Sequence, residues 1–235
     1  MKLTETHIEN LYKFTRRHYV YYYDVQTELV DHLANDIEDI WQAQPNLSFQ
    51  EARDKAFKKF GIFGFMDVIE AKQKQMSKRY RKIIWRFFSE WFTLPKLLTT
   101  ITIFLSLFLF LKVQYSEYIL LGGLLLGAIY DIILQYKNRK KQQNKEQNKE
   151  KIFLLESMIV DTRQGFMGIT FINIVNSINL TKVHFSNLEN HWLLLISFSI
   201  TVLVILFYVT AYLIPKKAEE LLIETYPEYK LAKTL

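Results

Sequence analysis

Cysteine is absent from the 235-residue chain. Disulfides and thiolate metal sites are therefore excluded, which fits a reducing compartment. The first ten residues, Met1 to Asn10, are polar and charged and contain no apolar stretch of the kind a cleavable signal peptide needs. The first membrane helix is expected to act as its own insertion signal. The N-terminal region shows no apolar–polar alternation of period two, so half-buried strands are not expected there. No glycine-rich nucleotide loop, His-Glu-x-x-His or Gly-x-Ser-x-Gly pattern occurs. The sequence accordingly points to no catalytic residue, no metal and no cofactor.

What the chain has instead is long apolar runs. Leu97 to Leu111 is uncharged and bracketed by Lys96 and Lys112, and Tyr118 to Tyr136 carries only Asp131. Runs near the length that crosses about 30 Å of hydrocarbon read as transmembrane helices, because lipid offers the backbone no hydrogen-bond partners. The pattern predicts four spans, at about 95–113, 118–136, 164–181 and 191–214. The third is unusually polar, with Asn173, Asn176 and Asn179, and the fourth is closed by Pro215. Residues 137–151 contain no apolar side chain and read as a solvated loop. The stretch from Ile152 to Arg163 has two open readings, an interfacial lead-in or part of the third span. A tail over 215–235 holds a short amphipathic segment around Leu221 and Leu222.

Charge orients these spans. Lysine and arginine number eight over the neck and the start of the first span (72–96), seven in the 137–151 loop and four in the tail, against one each, Lys112 and Lys182, in the two opposite connections. This asymmetry predicts a multi-pass protein of a bacterial inner membrane with the neck, the second loop and both termini in the cytoplasm.

In front of the spans, residues 1–71 hold twelve acidic and eight basic side chains and read as a small all-helical cytoplasmic module. Thr6 and Glu9 have the spacing of a capping box for a first helix. Asp24 is placed to cap a second, in which Val25, Leu29, Leu33, Ile37 and Ile40 recur every three or four residues. Ser48 and Glu51 repeat the capping box for a third, with Phe49, Ala52, Ala56 and Phe60 inward. Gly61 follows as a left-handed cap, and Ile62 is expected to fold back onto the last turn.

The run Glu28-Leu29-Val30-Asp31-His32-Leu33, then Ser48-Phe49-Gln50-Glu51-Ala52 and the closing Lys59-Phe60-Gly61, resembles the short helical module called the HAAS or permease prefix domain. Where that family continues into an Asp-Pro pair, this chain has Ile62-Phe63-Gly64-Phe65. The family precedes transmembrane segments in bacterial membrane proteins. The resemblance, over about residues 11–71, implies a regulatory or interaction module with a cytoplasmic protein partner and brings no catalytic residue.

Four groups of residues are candidates for function. Glu28, His32, Asp36 and Asp39 lie along the edge of the apolar face of the second helix, where carboxylates and an imidazole could hold a divalent cation, but a solvated acidic face is the stronger reading. Lys78, Arg79, Arg81, Lys82 and Arg86 interleave with Ile83, Ile84, Phe87, Phe88 and Trp91 in a basic amphipathic neck (72–94). This predicts contact with the headgroups of an anionic leaflet rather than with nucleic acid. Gly123 and Gly127 form a GxxxG face for packing against another helix, within the chain or in a homo-oligomer. Asp131, costly in lipid, calls for a partner, and Arg163 is the nearest candidate on the same side. A proton or ion pathway through Asp131, as in a small transporter, is the alternative reading.

Overall fold

The computed structural model describes residues 2–147, 150–163, 169, 172–173, 175–176 and 184–234. Every regular element among them is helical. The described chain divides into two compact units, one of Met1–Arg79 with Glu150–Ser157 and the other of Tyr80–Lys149 with Met158–Leu235.

In the first unit, α1 (Glu5–Arg17), α2 (Tyr23–Ala43) and α3 (Phe49–Lys58) pack through the expected stripe. Leu11, Leu29, Leu33, Ile37, Ala52 and Ala56 are all fully buried. The capping box of α1 lies two residues earlier than expected: Thr4 is the cap, and His7 rather than Glu9 closes it by accepting from the Thr4 N–H at 3.3 Å. That histidine also stacks on Phe49 at 4.3 Å, a contact between elements that local spacing does not encode. Ser48 and Glu51 form the box at α3 as predicted. Their hydrogen bonds, first from the Ser48 hydroxyl and then from its N–H, hold the Glu51 carboxyl below its usual range.

Gly61 is left-handed, at φ +78°, but the turn after it runs opposite to expectation. Ile62 does not fold back and stands 98% exposed. Phe65 goes inward instead, 4.8 Å from Phe57 and 4.9 Å from Phe60. Edge-to-face contact with these two rings is open to the aromatic Phe65 and not to the aliphatic Ile62.

Helix α4 (Met66–Ser89) is continuous from the end of this turn into the neck, across the predicted boundary at residue 72. It is followed by α5 (Lys96–Leu111), and the segments Met66–Phe92 and Lys96–Leu111 are bent by 80° at the break where Pro95 stands. In the second unit the neck's apolar face is partly covered by protein. Ile83 and Phe87 are buried, Lys217 lies 5.3 Å over the Phe87 ring, and Arg86 pairs with both oxygens of Glu224 at 3.2 and 3.3 Å. The tail forms helices at Ala218–Thr225 and Tyr229–Thr234, with Leu221 and Leu222 buried.

Helix α6 (Ser116–Gln147) overruns the predicted second span, taking in most of the tract expected as a loop. Lysine, glutamine and glutamate are strong helix formers, so a polar continuation costs little once an apolar helix has nucleated it. Helix α7 is Leu154–Arg163. Of the third span predicted at 164–181, residues 169, 172, 173, 175 and 176 are helical, and the rest lies outside the described residues. Helix α8 (Asn190–Tyr208) continues through a wide π turn at Val209–Leu213 to Lys216. Pro215 lacks the N–H that an α-helix would direct at the carbonyl four residues back, and widening the turn accommodates the loss.

Helices α5 and α8 pack along each other. The buried stripe of α8 is Leu193, Ser197, Thr201 and Ile205. Its hydroxyls donate to carbonyls of their own helix at 2.7 Å, so no polar hydrogen is stranded. Ser116–Lys145 and Asn190–Lys216 are long and apolar enough to cross a membrane, and the bent pair raises the number to three if it counts as one span.

Candidate functional site

The first unit is completed by a piece of distant sequence. After the polar tract, Lys151 to Ser157 enters the fold of α1–α3, with Phe153 and Leu154 each 2% exposed and Leu155 not at all. Two polar contacts fix the entry. The Tyr23 N–H donates to the Ile152 carbonyl at 2.8 Å, and the Leu154 N–H donates to Asp24 Oδ1 at 3.0 Å. Asp24 therefore does not cap its own helix: the cap position of α2 is Tyr22, with no side-chain bond, and Asp24 serves the first residue of α7.

Aromatic rings surround the same place. Tyr12 stacks on Tyr23 at 6.3 Å, Phe153 meets Tyr23 edge-on at 5.5 Å, and the Lys151 ammonium lies 5.1 Å over the Tyr23 ring. The Tyr12 hydroxyl donates to Thr27 at 3.2 Å. Burial pushes its pKa above the ordinary tyrosine value, and the bond to Thr27 only partly offsets this. Chemically, the arrangement holds one extended backbone step, an apolar pair and the N-terminus of a helix.

The sequence-predicted residues fall elsewhere. Glu28 pairs with Lys72 at 2.5 Å and Asp36 with Lys59 at 2.5 Å, so two of the four acidic-stripe residues already face lysines. His32, Asp36 and Lys59 line a recess of about 360 Å³ with Phe60 and Val68, whereas Asp39 is exposed outside it. Among the described residues no cluster of three metal-ligating side chains forms. A Cβ built on Gly123 would meet nothing within 4 Å, so close helix packing there is not seen among the described residues. The buried face of α6 instead runs through Glu117, Ala128 and Asp131. Asp131 is 3% exposed. The side chain of Arg163, and with it the predicted pair, lies outside the described residues. Lys78, Arg79, Arg81 and Lys82 are exposed on α4.

Two relationships were not anticipated from the sequence. One is the hold on residues 151–157, for which the signal was present: four apolar residues, Ile152 to Leu155, too few to span a membrane, follow a purely polar tract. The other is Glu117, buried at the start of α6, whose Oε1 lies 2.6 Å from His184 Nδ1. It joins residues from the two sparsely charged connections, and no local spacing announces it. Compared with family models, with curated proteins and with solved structures, the chain matches none.

Proposed function

We propose that this is a regulatory or scaffolding protein of a bacterial inner membrane. In this reading it has four spans and cytoplasmic termini, and its helical module binds a cytoplasmic protein and transmits that occupancy to the membrane helices. The observation that carries it is the capture of residues 152–155 in the module's core, with Asp24 capping Leu154. Helix α7 starts inside the module and ends at Arg163, next to the predicted third span. Whatever loosens the module therefore also releases the start of that helix. The charge asymmetry supports the orientation, and the resemblance to the permease prefix module supports a partner-binding role.

Crosslinking in native membranes followed by purification tests this. A protein recovered with the full chain and lost on deletion of residues 1–71 is expected, and recovery of the same set by both forms would contradict it. A second reading, a small ion-coupled permease component, is favoured by the burial of Asp131 in an apolar helix. A substrate-dependent flux that survives deletion of residues 1–71 and is lost in Asp131→Asn would select it.

A further inference from the structure

The turn between α3 and α4 holds large apolar side chains out in water. Ile62 is 98% exposed, Phe63 70% and Met66, the first residue of α4, 55%. The exposure is built in. Gly61 and Gly64 both take positive φ, +78° and +57°, and the turn is closed by Gly64 N–H to the Gly61 carbonyl at 3.3 Å and Met66 N–H to the Phe63 carbonyl at 3.2 Å. A Cβ on Gly64 would lie 2.9 Å from Phe57 Cζ, so the turn sits tightly on the core. Two left-handed glycines thus fix a conformation that buries Phe65 and turns Ile62 and Phe63 outward.

Helix α4 continues from this tip with a matching surface. Its exposed side carries Lys74, Lys78, Arg81 and Lys82 at near-helical spacing and ends in Trp85, 67% exposed. Asp67 and Glu70 are the acidic residues of that side, both in the first two turns. Along the helix the cations follow the exposed Met66 and precede Trp85. Cations contact anionic headgroups, while aromatic and aliphatic side chains enter the acyl boundary. Single side chains projecting from a tight turn suit insertion between lipids. A protein partner would more naturally be met by a continuous apolar patch.

We infer that the Ile62–Phe63 turn is a bilayer-inserting tip which, with the exposed basic side of α4, docks the helical module on an anionic leaflet. This rests on the reading of the chain as a membrane protein and is independent of any protein partner. The chain has no cysteine, so Ile62→Cys carries a single environment-sensitive fluorophore at a position whose exposure tolerates it. The full chain is reconstituted in phosphatidylcholine vesicles with and without phosphatidylglycerol, and Gln50→Cys, exposed on α3, is the reference.

In anionic vesicles the label at 62 should shift to the blue and be quenched by spin-labelled lipid, while the label at 50 stays water-like. The quenching should fall several-fold without phosphatidylglycerol, and likewise when Lys74, Lys78, Arg81 and Lys82 are changed to glutamine. A water-like label at 62 in anionic vesicles overturns the inference. A blue shift without lipid quenching also overturns it, by showing that protein covers the tip. Quenching indifferent to lipid charge removes the role assigned to α4. Since no partner takes part, this result and the co-purification above can fail separately.

Discussion

Asp24 Oδ1 accepts the N–H of Leu154 at 3.0 Å across 130 positions of sequence. An acid at the start of one helix thereby caps another, and the module's packed unit includes the connector that leads toward the third predicted span. Replacing a capping acid by alanine typically costs about 1 kcal/mol. Asp24→Ala should lower the unfolding free energy of the module by roughly that amount and speed trypsin cleavage after Lys151, whose neighbour Ile152 is buried in the native chain. Asp24→Asn keeps an acceptor and should lose less. Cleavage rates on the purified full chain, wild type against both variants, check this.

Tyr12 gives the same region a pH dependence with a definite sign. Its folded pKa is raised, chiefly by burial, so the neutral form is the one the fold favours. Stability from this group is complete below the unfolded tyrosine value of about 10 and declines as pH rises through the folded pKa. Denaturant midpoints measured across that range should fall more steeply for the wild type than for Tyr12→Phe. Parallel curves would show that Tyr12 does not couple ionisation to folding.

The module's helices were legible because their signals are local. The buried stripe of α2 repeats every three to four residues, and Ser48 and Glu51 cap α3 in the pattern that spacing alone predicts. What could not be read depends on contacts across the chain. Asp24 has the same chemistry whether it caps its own helix or Leu154, and only the fold decides. Ile62 and Phe65 are both apolar, and the choice of which is buried belongs to the ring cluster of Phe57 and Phe60. The tract at 137–147 looked like a loop because it lacks apolar residues, yet helix formation needs no apolar face when an existing helix extends. The acidic stripe of Glu28 and Asp36 was visible, but Lys72 and Lys59, which occupy it, come from elements 44 and 23 positions on.

Asp131 separates the two functional readings. If Asp131 and Arg163 form the ion pair expected from the sequence, a clamp between their helices, Asp131→Asn leaves a cation without its partner and should destabilise the membrane helices by about 3 kcal/mol. Arg163→Gln should then recover part of that loss, so the double variant is more stable than the sum of the two single effects. Thermal unfolding of the detergent-solubilised chain provides the cycle. Strict additivity contradicts the clamp. A single variant of unchanged stability that abolishes a pH-dependent flux selects the pathway.

The central claim is that residues 152–157 belong to the module's folded core. Hydrogen exchange on the full chain in lipid nanodiscs, comparing wild type with Leu155→Ala, tests it most directly. Leu155 is completely buried, and truncating such a leucine costs about 2–5 kcal/mol. The account predicts that the Tyr23 and Leu154 amides are protected together with those of Val25 to Ile40, and that Leu155→Ala lowers protection along α2 as well as at 152–157. Free exchange at 152–157 beside an undisturbed, fully protected α2 would contradict it.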